Sequence, residues 1–412
     1  MEAPRRPPLA DPAGDSPIRF RSLLLLAGLL VALCAPPQAF PADGAPGDPL
    51  HSRRAGPGSA APRHDPVEVV FLAGGDVTLG ARLEEHLKAL SAEDVTLDPH
   101  AYPFARIAHH LRAADLVLVN LEGPFTTRGK RVPKNFNFRA HPSMAAALAR
   151  AGIGAVSLAN NHVMDYGVVG MQDTLAVLDR AGIVGFGAGM RLRAARQGAV
   201  VERRGLRIGL LGYLFLGNSL EPPEIFATGG RPGVAGHPRS EEALEAMVRE
   251  DVRRLRPQVD ALAVSFHWGR EKRYEPEPYQ RRIGRAAMDA GADVVVGHHP
   301  HVVQGIEAYG RGLIAYSLGN FVFGGKWRPD DTDAVLLRVR LRRPQPAAGG
   351  GGAGGAVAGY EVIPLALGLY PHAPFQPVEV TGEDAARVLL KAGVGDRGPG
   401  PPNAGCGLRC AE

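Results

Sequence analysis

Imidazoles and carboxylates crowd at a few points of this sequence, most densely in Gly297-His298-His299-Pro300-His301. Three imidazoles around a proline-stiffened turn repel one another when charged and are costly to bury unpaired, and a divalent cation resolves that conflict. His299 and His301 are therefore read as metal ligands, with His298 in a supporting or substrate-contacting place. Four more clusters share this character: Gly75-Asp76, Asn120-Leu121-Glu122, Asn160-Asn161-His162 and His267-Trp268-Gly269. Carboxylate, amide oxygen and imidazole together suit Mn, Fe or Zn. Usable thiolates are lacking: Cys34 lies in an N-terminal apolar run, and Cys406 and Cys410 lie in a Gly/Pro-rich tail, where pairing would be incidental. Taken singly, each cluster has a plainer reading as a turn, a helix cap or a strand end. His86, His109 and His110 lie on helical periodicity without a partner motif and read as surface residues.

The elements that must position these clusters are apolar runs. Val67–Ala73, Leu116–Asn120, Ala155–Leu158, Leu206–Leu211, Ala261–Phe266, Val294–Val296 and Leu313–Ser317 lack polar alternation and read as buried strands. Helical periodicity covers Pro142–Ala151, Gly170–Ala181, Ser240–Leu255 and Pro278–Ala290, with Gly152, Gly182 and Gly291 placed to end three of these helices. Strand and helix in alternation predict an α/β sheet with helices on both faces. In such sheets ligands bind beyond the carboxyl ends of the strands, so the polar clusters are expected to converge on one crevice. The glycine run Gly349–Gly355 reads as part of an insertion, 345–358, inside the last hairpin, before a strand near Tyr360–Leu367 and a helix near Gly382–Ala392. One folded domain is thus expected over 67–393, with a disordered tail at 394–412.

With 45% hydrophobic and 22% charged residues the chain can bury a large core, which excludes wholesale disorder. Its net charge of +5 comes from scattered arginines, not a basic run interleaved with aromatics, so no nucleic-acid partner is expected. Arg5, Arg6, Arg19 and Arg21 precede the apolar run Leu23–Ala35, the layout of a signal peptide or uncleaved anchor over residues 1–39. Leu33 before Cys34 disfavours lipidation. A flexible Pro/Gly/Ala linker follows at 40–66. The expected location is therefore outside the cytoplasm, periplasmic or extracellular.

In order, Gly75-Asp76-Val77-Thr78-Leu79-Gly80, Asn120-Leu121-Glu122-Gly123-Pro124, Asn160-Asn161-His162 with Asp165-Tyr166-Gly167, His267-Trp268-Gly269, the GHHPHV run and Ser317-Leu318-Gly319-Asn320-Phe321 resemble the CapA family. These are capsule or poly-γ-glutamate biosynthesis proteins related to calcineurin-like metallophosphoesterases. The resemblance spans Val67–Ala392. It implies a four-layered α/β/β/α metallophosphoesterase-like sandwich with a short C-terminal strand-helix extension. It further implies two divalent ions held by Asp76, Glu122, Asn161, His267, His299 and His301, and a hydrolase in which His162 meets the scissile phosphate. Asn120, Asn160, His298, Glu271 and Asn320 would support ligands or touch substrate. The implied partners are an anionic polymer or phosphorylated substrate and membrane-bound capsule synthetase subunits. An alternative is a non-catalytic, metal-stabilised scaffold that holds polymer through loops such as Arg128–Lys134. A nucleotidase would need stacking aromatics, for which Phe125, Phe136, Phe138 and Trp268 are available, although core positions suit them better. Departures stand out: Thr78 occupies the place of a histidine in the first motif, Asn120 or Glu122 stands where the second motif has an aspartate, and Lys272 follows Glu271 where relatives often carry tyrosine.

Overall fold

A computed structural model describes residues 67–217, 222–325, 329–344, 355–369 and 373–394. The signal or anchor segment, the linker, residues 345–354 of the insertion, residues 395–412 of the tail, and Cys34, Cys406 and Cys410 lie outside the described residues.

The first strand explains the architecture. In β1 (Glu68–Thr78), Val69, Phe71 and Ala73 enter one core while Leu72 enters another, so both faces of the strand must be covered. After β1 come α1 (Arg82–Glu93), α2 (Ala108–Arg112), β2 (Leu116–Leu121), α3 (Ala145–Arg150), β3 (Ile153–Ser157), α4 (Gly167–Arg180) and β4 (Val184–Phe186). Strands β1 to β4 lie parallel and adjacent. The chain continues through β5 (Ala188–Gly189), α5 (Leu192–Arg196), β6 (Ala199–Arg203), β7 (Leu206–Phe215), β8 (Gly233–Val234), α6 (Glu241–Leu255), β9 (Ala261–Trp268), α7 (Pro278–Ala290), β10 (Val294–His298), β11 (Ile306–Tyr309) and β12 (Gly312–Ala315). These build a second sheet in the order β11-β12-β10-β9-β7-β6, with β5 and β8 paired apart. The final elements, β13 (Asn320–Phe323), β14 (Asp333–Arg342), β15 (Val357–Leu369), β16 (Ala373–Glu379) and α8 (Gly382–Lys391), return to the first sheet, ordered β16-β15-β14-β1-β2-β3-β4 with β13 against the end of β1.

The strands that alternation alone places in one sheet are divided between two, as the sandwich implied by the resemblance requires. The reason is that strands apolar on both faces satisfy either arrangement, and periodicity does not say what covers each face. Here each sheet covers the other. Phe71, Leu118 and Ala155 of the first meet Ile208, Ala263, Val296 and Leu313 of the second. Outside the first sheet, Leu72, Val119 and Val156 pack with Leu83, Leu148 and Met171 of the helices. Outside the second, Val264, Val295 and Ile314 pack with Leu244, Val248 and Ile283 of α6 and α7.

Gly152 and Gly182 take the left-handed conformation that ends α3 and α4, at φ 77° and 70°. The expected last hairpin is extended: β14 pairs with β15 across the glycine insertion, and β15 pairs again with β16. Strand β16 also changes the setting of two histidines read as surface residues. Arg106 and Tyr102, just before α2, bond to Gln376 and Pro374. His86 thereby meets Tyr102 at 3.0 Å and Phe375, and His110 lies between Arg338 and Glu379 at 2.9 Å each. His109 is exposed as expected. No helix among the described residues is long and apolar enough to cross a membrane.

Candidate metal centre

Strand register assembles the centre. Asp76 on β1 is paired with Asn120 on β2 and with Asn320 on β13, while His267 on β9 is paired with His298 on β10. Two glycines let the backbones close in: a Cβ on Gly75 would lie 1.9 Å from the Gly319 carbonyl, and one on Gly297 would lie 1.9 Å from that of Tyr316. Beyond β10 the chain turns through Pro300 with both His299 and His301 at positive φ, 95° and 56°. Such backbone is strained for residues with a side chain and persists only where the surroundings hold it.

The sites predicted on separate strands come together. Asp76, Asn120, Asn160, His267 and His298 are at most 1% exposed, and Glu122, Asn161, His162, His299 and Asn320 are at most 7% exposed. Asn120 donates to Asp76 Oδ1 at 2.7 Å and stands 3.3 Å from His267 Nδ1. Asn160 donates to Asn120 Oδ1 at 3.0 Å and accepts from the backbone N–H groups of His162 and Val163, which folds the turn that presents Asn161 and His162. The other Asp76 oxygen accepts from the His299 backbone N–H at 3.2 Å and lies 3.3 Å from His301 Nδ1. His301 Nδ1 also faces Asn320 Oδ1 at 3.0 Å, so its proton sits on Nδ1 and Nε2 turns toward Glu122, 3.8 Å away.

Glu122 occupies the centre. Among the described residues neither of its oxygens has a hydrogen-bond partner, and the same holds for His267 Nε2, His299 Nδ1 and both nitrogens of His298. His267 Nε2 is 3.6 Å from Glu122 Oε1, and donor atoms of Glu122, His299 and His301 all lie within 4.8 Å of one another. Burial pushes the Glu122 carboxyl up to about 8, against His301 and with Asp76 and Glu271 adding. Burial likewise takes His299 down to about 3, His298 to about 4 and His267 well below its ordinary value, leaving three neutral rings. His301 goes the other way: burial opposes its charge, but Glu122 and Asp76 raise it to about 10. Asp76 is raised by burial and lowered more by His301, His298 and Asn120, so it stays ionised. Orphaned buried donors of this kind, a carboxyl group beside three neutral imidazoles, fit a divalent cation.

His162 stands at the edge, its Nε2 3.9 Å from Glu122 and its Nδ1 donating to Asp165 at 2.7 Å. Asp165 and Lys134 were not expected in the site, and Phe138 was expected in the core. Asp165 also accepts from the Phe138 N–H and pairs with Lys134 at 2.6 Å, and Lys134 donates to the Asn161 carbonyl at 2.7 Å. The signal was the His-x-x-Asp spacing; nothing local marks Lys134 or Phe138. The Phe138 ring packs 4.1 Å from that of His162, not in a core, and with Phe136 it lines a cleft of about 270 Å³ also bounded by Glu271, Tyr274, His301, Asn320 and Asp330. Phe136 is 68% exposed, whereas Phe125 and Trp268 are core residues. Lys272, at φ 60°, pairs with Asp330 at 2.5 Å across the mouth. The basic loop is largely spent internally: Arg128 pairs with Asp173, Arg131 with Asn137 and Lys134 with Asp165.

The fold is of the α/β class, two packed sheets with a buried Glu/His cluster at the strand ends that is a candidate metal site. More particularly, the bacterial capsule synthesis protein family PGA_cap matches residues 70–325, and the chain belongs to it. It is 30% identical to the capsule biosynthesis protein CapA of Bacillus anthracis over 65% of this chain and 62% of that one. It is 32% identical to the PGA biosynthesis protein CapA of Bacillus subtilis over 65% and 67%. With the "Probable polyglutamine synthesis accessory protein" of Mycobacterium tuberculosis the figures are 31%, 63% and 75%. The match thus spans less than two thirds of the length of the Bacillus anthracis relative. A phosphatase from Mycoplasma pneumoniae overlays on 73% of this chain and 95% of its own, with 14% identity and a TM-score of 0.41, too loosely to define a shared site.

Proposed function

We propose that this protein is an exported, metal-dependent phosphoester hydrolase acting in the making of a capsule or poly-γ-glutamate layer. The observation that carries the reading is the buried, unpartnered donor set of Glu122, His267 and His299 beside His162, opening on the cleft of Phe138 and Glu271. Glu122, His267, His299 and His301 would hold the cation, which supplies Lewis-acid activation of a phosphoryl oxygen and of water. Asp165 keeps the His162 proton on Nδ1 and turns Nε2 toward the cleft, where it can accept or return a proton at the leaving oxygen. Lys134 fixes Asp165 and the Asn161 carbonyl together, so the turn bearing His162 does not drift. Phe138 packs on the ring and excludes water from one side.

The named relatives support the capsule context, and the Arg-rich N-terminal segment supports export with or without a retained anchor. Partners in this reading are a phosphorylated substrate and synthetase subunits at the membrane. Polymer holding without chemistry is less favoured, because the loop arginines offered for it are engaged internally. Protein stripped of metal and resupplied with Mn should hydrolyse an aryl phosphate mono- or diester, and His162→Ala should lose that turnover while still binding the metal. Absence of turnover with Mn, Fe and Zn alike would leave the scaffold reading standing.

A further inference from the structure

The motif order leads to an expectation of two ions. The side chains fit one. We infer that the centre holds a single divalent cation on Glu122, His299, His301 and His267, and that Asp76 binds no metal but stands behind His301 and fixes its orientation. The inference rests on the metal-centred reading above.

The asymmetry is in how the two carboxylates are engaged. Asp76 is committed on both oxygens: Oδ1 to the Asn120 amide at 2.7 Å, Oδ2 to the His299 N–H at 3.2 Å, with His301 Nδ1 3.3 Å from it. Among the described residues Glu122 has no hydrogen-bond donor on either oxygen and three imidazole nitrogens nearby, those of His267, His301 and His162 at 3.6, 3.8 and 3.9 Å. A carboxylate bonded to the far nitrogen of a ligating imidazole is a familiar support for a metal ligand, because it fixes tautomer and ring direction. Asp76 has that relation to His301, whose Nε2 points at Glu122.

The residues that would complete a second ion site are used otherwise. Thr78, where a histidine would sit, accepts from the Gly324 N–H at 2.8 Å and thereby ties β1 to the end of β13. Asn120, a neutral amide at the second motif where an aspartate would stand, has its oxygen engaged by Asn160 and its nitrogen by Asp76. What remains beside Asp76 is His298, with Nδ1 at 3.6 Å. One imidazole and one already bonded carboxylate fall short of the three protein donors that hold a catalytic ion.

The experiment is a metal titration of the intact protein by calorimetry and elemental analysis, with Mn²⁺ electron paramagnetic resonance on the loaded form. One equivalent and an isolated-ion spectrum are expected. Asp76→Asn should still bind one equivalent, about 10–100-fold more weakly. His298→Leu should leave stoichiometry unchanged, and His299→Ala should abolish binding. Two equivalents, or a spin-coupled pair of ions, overturn the inference while leaving the metal-centred function intact. No binding in the wild type overturns both. Because the wild type alone distinguishes one ion from two, a variant that fails to fold does not blunt the test.

Discussion

Two buried polar clusters in this molecule differ in one respect: whether they are complete. On the outer side of the second sheet, Asp251 of α6 is 2% exposed and fully engaged. It accepts from Arg196 Nε at 2.9 Å and its terminal nitrogen at 3.0 Å, from Tyr213 at 2.9 Å and from Arg254 at 3.2 Å. At the strand ends Glu122 is equally buried and receives no hydrogen bond from any described residue. A cluster that serves the fold satisfies its own groups, since each buried polar atom left open costs stability. One that serves a ligand leaves them open, and the cost is recovered on binding.

That contrast can be broken in four places. The largest effect is expected at Asp251: Asp251→Ala leaves the Arg196 charge without its main partner and should lower unfolding free energy by about 3–5 kcal/mol, measured by urea denaturation. An unchanged midpoint would mean the cluster is not the structural one. Next comes acid. An unfolded histidine titrates near about 6.5, whereas burial takes His298 to about 4 in the fold. Between these values the unfolded chain binds more protons, so this ring's contribution is complete above about 6.5 and is lost as pH falls toward about 4. Over that window metal-free wild type should lose about 3 kcal/mol more than His298→Leu does, read from thermal midpoints between pH 7 and 4.5. Parallel pH profiles would reject a neutral buried ring. Third, Glu122→Met should stabilise the metal-free protein by about 1–3 kcal/mol by removing an unsatisfied buried carboxylate, while abolishing metal binding. Destabilisation there would mean Glu122 already has its partners.

Much of this was legible in the sequence because strand ends announce themselves. A buried apolar run that stops at Asp76, Glu122, His267 or His299 marks both the strand and its candidate functional tip, and all of these residues meet. What was not legible is tertiary. Strands apolar on both faces do not say which of two sheets they join, so the alternation alone suggested one sheet, and only the resemblance implied the two that are present. Strands β13, β14 and β16 carry ordinary patterns whose partners lie far along the chain, and they reset the surroundings of His86, His110 and Asn320. Lys134 reaches Asp165 from a loop that by composition resembled a polymer-binding surface. The unequal engagement of Asp76 and Glu122 depends on hydrogen bonds that motif spacing does not encode.

The smallest effect tests the complete cluster most finely. Tyr213 is 0% exposed, and its hydroxyl gives Asp251 one hydrogen bond of several. Tyr213→Phe keeps the ring and its stacking with Phe266 at 5.6 Å and removes that one donor. Asp251 retains both arginines, so no charge is stranded, and the phenyl leaves no buried hydroxyl without a partner. The cost should therefore fall to about 1 kcal/mol, the net value of a single hydrogen bond, well below that of Asp251→Ala. Urea midpoints of the single and double variants give the coupling. If Tyr213→Phe costs as much as Asp251→Ala, the arginines do not hold Asp251 by themselves. The cluster would then depend on its one neutral donor, and completeness would no longer distinguish it from the strand-end centre.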